Sequence, residues 1–158
     1  MKQQSWKTYA AWIVGTELVG ALSGFLTREG TKLYSASIVK PPLSPPALVF
    51  PIAWALLYAL MAIGAARVYL ARPGSARSRS LRLYLIQLAF NFFWSIIFFN
   101  LQAFGIAFVW LSALWALILM MLLAFRRVDR LASSLQYPYL AWVLFALYLN
   151  LGVWMLNR

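Results

Sequence analysis

Gln87 and Asn91 stand four residues apart in an apolar run that continues to Trp94 and Phe98, so all four fall on one face of a helix. Trp54, Tyr58 and Met61 repeat that spacing in an earlier run, and Tyr139, Trp142, Ala146 and Asn150 repeat it in the last one. A primary amide is costly in an apolar medium unless it faces protein. Gln87, Asn91 and Asn150 are therefore expected to point inward and bring their aromatic neighbours with them, making an aromatic cavity with a few amides. The chemistry on offer is aromatic contact and amide hydrogen bonding. Ordinary packing and an interfacial belt use the same rings, and for each Trp taken singly that reading stays open.

Acid–base and redox sites are hard to build from this chain. It has no His and no Cys, and its three acids are Glu17, Glu29 and Asp129. The same inventory argues against a metal cage, so no metal site and no required cofactor are expected. Met and Tyr are all that remain as axial ligands for haem iron, so a bound tetrapyrrole is expected to be metal-free or held by its periphery. Glu17 lies inside an apolar run, where a carboxylate costs about 2.5–3.5 kcal/mol to insert. It is expected to turn from lipid, either hydrogen-bonded within the protein or lining a wet cavity against a ligand.

The elements that must position these residues are five apolar stretches, at about 9–26, 47–70, 81–101, 103–125 and 135–155. Each is about long enough to cross a ~30 Å hydrocarbon core as a helix. With 64% hydrophobic and 11% charged residues, the chain has too little polar surface for a soluble globule. The fold class is an all-α membrane protein, a single five-helix transmembrane bundle over residues 1–158. The net charge of +11 sits at the ends of the runs and not in a stripe with interleaved aromatics, which speaks against nucleic acid. Ten of the cations fall on the side of the amino terminus and four (Arg28, Lys32, Lys40, Arg158) on the other, so the positive-inside rule puts the amino terminus in the cytoplasm. The first run has no small-residue cleavage pattern after it and reads as a retained span.

Thr27–Pro46 reads as the longest non-helical stretch. Its four prolines between Lys40 and Pro46 impose extended backbone, with Ser44 and Pro45 as helix cap and first-turn proline of the second span. A stiff arm over one end of the bundle is the expectation. The segment 71–80 reads as a flexible basic turn against anionic lipid headgroups. Asn100-Leu101-Gln102 permits a tight hairpin, making the third and fourth spans antiparallel neighbours. Gly20 and Gly24 give the first span a small-residue face, suited to packing in the bundle or to dimerisation.

Lys40-Pro41-Pro42-Leu43-Ser44-Pro45-Pro46, followed by Val49-Phe50-Pro51-Ile52-Ala53-Trp54 and Leu57-Tyr58, resembles the loop and second helix of the translocator protein family, also called tryptophan-rich sensory proteins. Gln87-Leu88-Ala89-Phe90-Asn91-Phe92-Phe93-Trp94 resembles its third-helix motif, and Pro138-Tyr139-Leu140-Ala141-Trp142 with Leu149-Asn150 its fifth. The resemblance covers nearly the whole chain and marks a bacterial-type member. It implies a five-helix bundle, often a homodimer in membrane lipid, whose pocket binds porphyrins such as protoporphyrin IX, sterols in some members, and synthetic hydrophobic ligands. Carried over by motif, Trp54, Asn91 and Trp142 are pocket residues, with Ala146 beside them; Tyr58, Gln87, Trp94 and Tyr139 share their helix faces. Tyr34, Ser35, Lys40, Pro41, Leu43 and Pro45 lie in the loop over the pocket. In bacterial members, light- and oxygen-dependent porphyrin breakdown implicates the tryptophans matched by Trp54 and Trp142.

The chain departs from the family pattern at Leu43 and Leu48, where Trp is common, and at Ser35, where a loop Tyr is common. Its sterol motif is incomplete, since the first cation after Tyr148 is Arg158. A porphyrin-binding sensor, a transporter of porphyrin or lipid, and a regulatory scaffold all remain open.

Overall fold

The computed structural model describes residues 2–158, all of whose regular structure is helical. The chain runs through α1 (Lys2–Leu26), α2 (Arg28–Ser37), α3 (Val49–Leu70), α4 (Ser75–Ser95), α5 (Phe104–Val128), the short α6 (Arg130–Ser134) and α7 (Tyr137–Leu156). Five stretches are long and apolar enough to span a membrane: Ser5–Leu26, Val49–Leu70, Ser75–Asn100, Phe104–Val128 and Arg130–Leu156. The expected five-helix bundle is therefore present. α1 packs mainly on α3, α4 on α5, and α5 on α7. Between α4 and α5 the turn closes through bonds from the Leu101 and Ala103 amides to the Ile96 and Ile97 carbonyls, which makes the two helices the neighbours that so short a link requires.

Three local expectations are corrected. The stretch after Thr27 is not mainly irregular, because α2 forms within it. Thr27 and Thr31 return their hydroxyls to carbonyls four residues back, and Glu29 reaches Lys32 at 3.0 Å, so the backbone continues helically almost without a break from α1. The proline segment is not one extended arm. Pro42 and Leu43 form the corners of a turn in which Leu43 takes φ 67° and Ser44 Oγ donates to the Pro41 carbonyl at 2.7 Å. α3 consequently starts at Val49, beyond Ser44 and Pro45, with Pro51 in its first turn. Finally, the basic turn is shorter than 71–80, since α4 already begins at Ser75. Ser80 Oγ bonds the Ala76 carbonyl there, and the Arg77 guanidinium lies 4.7 Å over the Tyr69 ring.

One feature of α4 has no counterpart in the periodicity. The turn that continues it, Ile96–Asn100, is π-helical, and this wider turn directs both Phe98 and Phe99 toward the same space. Asn100 then donates to the Leu26 carbonyl at 3.0 Å, tying the end of α4 to the end of α1.

Candidate ligand pocket

A cavity of about 950 Å³ opens at the α2 end of the bundle, walled by α1, α3, the end of α4 and α7. Its size is that of small-molecule sites, which run roughly 300–1,000 Å³. α1 contributes Ala21 and Gly24, whose lack of bulk leaves the space, and Gly20, on which the Tyr58 ring packs so closely that a Cβ would run into it. Opposite stands an aromatic wall. Trp54 lies edge-on to Trp142 with ring centres 6.4 Å apart and is 5.6 Å from Tyr58, while Phe50 meets Trp142 at 6.1 Å.

The expected site residues divide into two groups. Trp54, Tyr58, Trp94, Trp142, Ala146, Tyr34, Ser35, Lys40 and Pro45 line the cavity. Gln87, Asn91 and Tyr139 do not line it; they are 0%, 2% and 0% exposed and form a hydrogen-bonded chain with Tyr58. Tyr58 Oη donates to Asn91 Oδ1 at 2.7 Å, Asn91 Nδ2 to Tyr139 Oη at 2.8 Å, and Tyr139 Oη to Gln87 Oε1 at 2.7 Å. Both polar atoms of Asn91 are thus committed to protein. Asn150 also turns inward, as expected of an amide at that depth. It accepts from the Trp94 indole at 3.1 Å and donates to the Phe104 carbonyl at 2.8 Å.

Leu43 and Pro41 are likewise outside the lining. Leu43 is 81% exposed on the outer corner of its turn, and buried Pro41 packs on Gly152 of α7. That packing helps fasten the loop down. Asn157 exchanges two bonds with the backbone of Val39, at 2.9 and 2.8 Å, and Tyr148 Oη donates to the Pro42 carbonyl at 2.7 Å. The mouth is basic. Arg28 and Lys40 line it, the former 4.1 Å over Phe25 and the latter 5.2 Å from the Tyr34 ring centre and bonded to the Ser35 carbonyl. Burial pushes the Tyr34 phenol up, and the hydrogen bond from Lys32 holds the Glu29 carboxyl down.

The sequence reading did not mark Phe50, Phe99, Phe145 or Thr31 as site residues, all of which line the cavity. A signal existed for two of them: Phe50 is one turn before Trp54 and Phe145 one turn after Trp142, on the same faces. Of the two settings open for Glu17, the cavity wall is the one observed. Among the described residues no cluster of three metal-ligating side chains occurs.

Residues 12–155 match the model of the TspO/MBR family. The tryptophan-rich protein TspO of Chlorobaculum tepidum is 35% identical over 144 residues, covering 88% of this chain and 89% of that protein. The protein CrtK of Rhodobacter capsulatus is 35% identical over 94% of this chain and 92% of its own length. The translocator protein of Ovis aries is 36% identical over 93% and 92% respectively. With five spanning helices and a match over almost its entire length, this multi-pass integral membrane protein belongs to the TspO/MBR family.

Proposed function

We propose that the chain binds a planar tetrapyrrole of the protoporphyrin type in this cavity, and that Trp54 and Trp142 are the side chains oxidised when the bound ligand is illuminated. The observation that carries this reading is the pair of indoles set edge to face at 6.4 Å on the wall of a cavity about 950 Å³ in size. A photoexcited porphyrin lying against an indole takes an electron from it, and oxygen then adds to the reduced ring, so that the porphyrin is consumed and the indole is left one electron oxidised. That chemistry needs no designed acid or base, in keeping with a chain that lacks His and Cys. Arg28 and Lys40 at the mouth suit the two propionates of the ligand edge. With no His or Cys to bind iron, metal-free porphyrin is expected to bind at least as well as haem.

The same reading puts the amino terminus on the cytoplasmic face of a bacterial membrane, supported by the ten-to-four division of cations. It also allows two copies to pair, since outward residues such as Val14, Leu18 and Leu22 are exposed and apolar and suit lipid and a second copy equally.

The test is a porphyrin titration in neutral detergent, first in darkness and then in light, with product analysis. Dark binding with light-driven loss of porphyrin is the expected result. Trp54→Phe combined with Trp142→Phe keeps ring bulk but removes the easily oxidised indoles, so most of the light-driven loss is expected to disappear. Undiminished loss in the double variant removes these residues from the mechanism, and absence of dark binding removes the ligand class.

A further inference from the structure

Glu17 lines the cavity about three turns, or roughly 16 Å of helix, before Arg28 at the mouth. Among the described residues, no hydrogen bond or ion pair reaches its carboxyl. The two phenols within its electrostatic reach are already engaged, Tyr58 with Asn91 at 2.7 Å and Tyr84 with Thr16. The residues one turn on, Gly20 and Ala21, bring no donor. The mouth cations do not reach it either, since Lys40 is held on Ser35 and Tyr34 and Arg28 on Phe25 and Glu29. An ionisable side chain at this depth carries an insertion cost that a partner must offset. No such partner stands among the described residues.

What surrounds the carboxyl decides the kind of partner. The cavity wall beyond it is aromatic, with the Tyr58 ring against the α1 backbone at Gly20 and Trp54 5.6 Å further on. A carboxylate that shares a cavity wall with electron-rich rings is the combination that recognises organic ammonium groups: the carboxylate accepts a charge-assisted hydrogen bond and the rings attract the cation. Away from water this pairing is strengthened, and a neutral alcohol of the same shape gains none of the ionic part.

We propose that Glu17, with the rings of Tyr58 and Trp54, forms a second recognition site within the cavity for a lipophilic amine, its ammonium on the Glu17 carboxylate and its apolar body along the aromatic wall. An amine entering uncharged from the bilayer takes the proton of a Glu17 carboxylic acid, and one entering charged meets the carboxylate. Either route ends in the same ion pair. This assignment does not depend on tetrapyrrole binding.

Two probes differing in one group test it: a naphthylbutylamine and the matching naphthylbutanol, titrated calorimetrically into the purified protein in neutral detergent. The amine is expected to bind about tenfold or more tightly than the alcohol, the range of a charge-assisted hydrogen bond. Glu17→Gln is expected to bring the two affinities together while leaving that of the alcohol unchanged, and Glu17→Asp, which keeps the carboxyl, to retain a preference. Equal affinities in the wild-type protein, binding of neither probe, or an amine preference that survives Glu17→Gln each overturn the proposal. Because the wild-type comparison decides without any variant, a variant that fails to fold does not shield the proposal.

Discussion

The two ends of this bundle are built from the same helices and differ in what lies between them. Along α3 the change is complete within a few turns. Phe50, Trp54 and Tyr58 face the cavity, whereas Met61, Ala62, Ala65, Ala66 and Val68 are fully buried in contact with their neighbours. At the far end, small residues on α3 let large ones from α4 and α5 close over them, among them Tyr84, Ile118, Met121 and Phe125. At the cavity end the arrangement is reversed: the small residues are on α1, and the large ones opposite are already held by other partners. Trp94 is bonded to Asn150, and Tyr58 to Asn91. Rings fixed in this way do not swing over to fill the space that Gly24 leaves. A cavity in a membrane bundle thus comes from rings held by other partners across a gap from small residues, and a sealed core from large side chains closing directly over small ones, even where, like Tyr84 on Thr16, they are hydrogen-bonded as well.

The sharpest way to break the contrast is to add bulk at the sealed end. Gly64 lies against the side chain of Gln136, and a Cβ there would stand 3.0 Å from the Ala132 carbonyl oxygen. Gln136 is 0% exposed and donates to that same carbonyl, so neither neighbour has room to retreat. Gly64→Leu is expected to destabilise the protein by about 3 kcal/mol. Thermal unfolding in detergent measures it, and an unchanged midpoint means the far end is not close-packed.

Asn91 joins the two ends, and replacing it tests which end it serves. Asn91→Leu leaves the hydroxyls of Tyr58 and Tyr139 short of a buried partner and is expected to cost about 1–3 kcal/mol of stability. Porphyrin affinity per folded molecule is expected to stay the same, because both amide atoms already bond to protein. A stable variant with weakened ligand would put Asn91 on the cavity side of the comparison.

At the open end, added bulk has the opposite consequence. A Cβ on Gly24 meets nothing within 4 Å, so Gly24→Phe is expected to fold normally and fill the cavity. Dark porphyrin affinity is expected to fall about tenfold, equivalent to about 1.4 kcal/mol. Normal affinity in a folded Gly24→Phe protein would place the ligand elsewhere.

These substitutions also mark where the sequence could be read and where it could not. Five apolar runs and the spacing of Gln87, Asn91 and Asn150 suffice for the spans and the inward amides, since the cost of a polar group in lipid depends on one helix at a time. Which inward amide reaches a ligand is a different matter. Asn91 and Trp94 share a face of α4, yet one is tied to two tyrosines from α3 and α7 and the other borders the cavity; that division depends on where the neighbouring helices stand. α2 was hidden by the polar residues and prolines around it, because local threonine and Glu29–Lys32 bonds and continuity with α1 support it, and because its packing through Gly30 and Tyr34 on Phe98 and Phe99 is a contact between distant segments. The π turn at Ile96–Asn100 is likewise absent from the periodicity, and its bond from Asn100 to the end of α1 joins distant segments.

The far end has one more device that the open end lacks, an ion pair that fixes a corner. Asp129 caps α6 by accepting from the Ala132 amide at 2.8 Å and pairs with Arg67 of α3 at 2.8 Å, locking the α5–α6 turn against the bundle. Burial opposes ionisation of Asp129, but the Ala132 amide and the Arg67 guanidinium together hold its carboxyl below the usual carboxylate range. A folded-state value below the unfolded value, ~3.9, means that the contribution is present in full at neutral pH and is lost as pH falls through the folded value. Both side chains keep some water contact, so the pair is expected to contribute no more than about 1 kcal/mol. Asp129→Asn separates the two roles, because asparagine still caps a helix but carries no charge. Below about pH 4 the wild-type midpoint is expected to fall more steeply than that of Asp129→Asn. The exposed Glu29–Lys32 pair, also with a lowered carboxyl, remains in both proteins and cancels from the comparison. Parallel acid profiles for the two proteins would mean that the corner is held by the cap and the packing around Gly64, and that the charge on Asp129 has no part in closing this end.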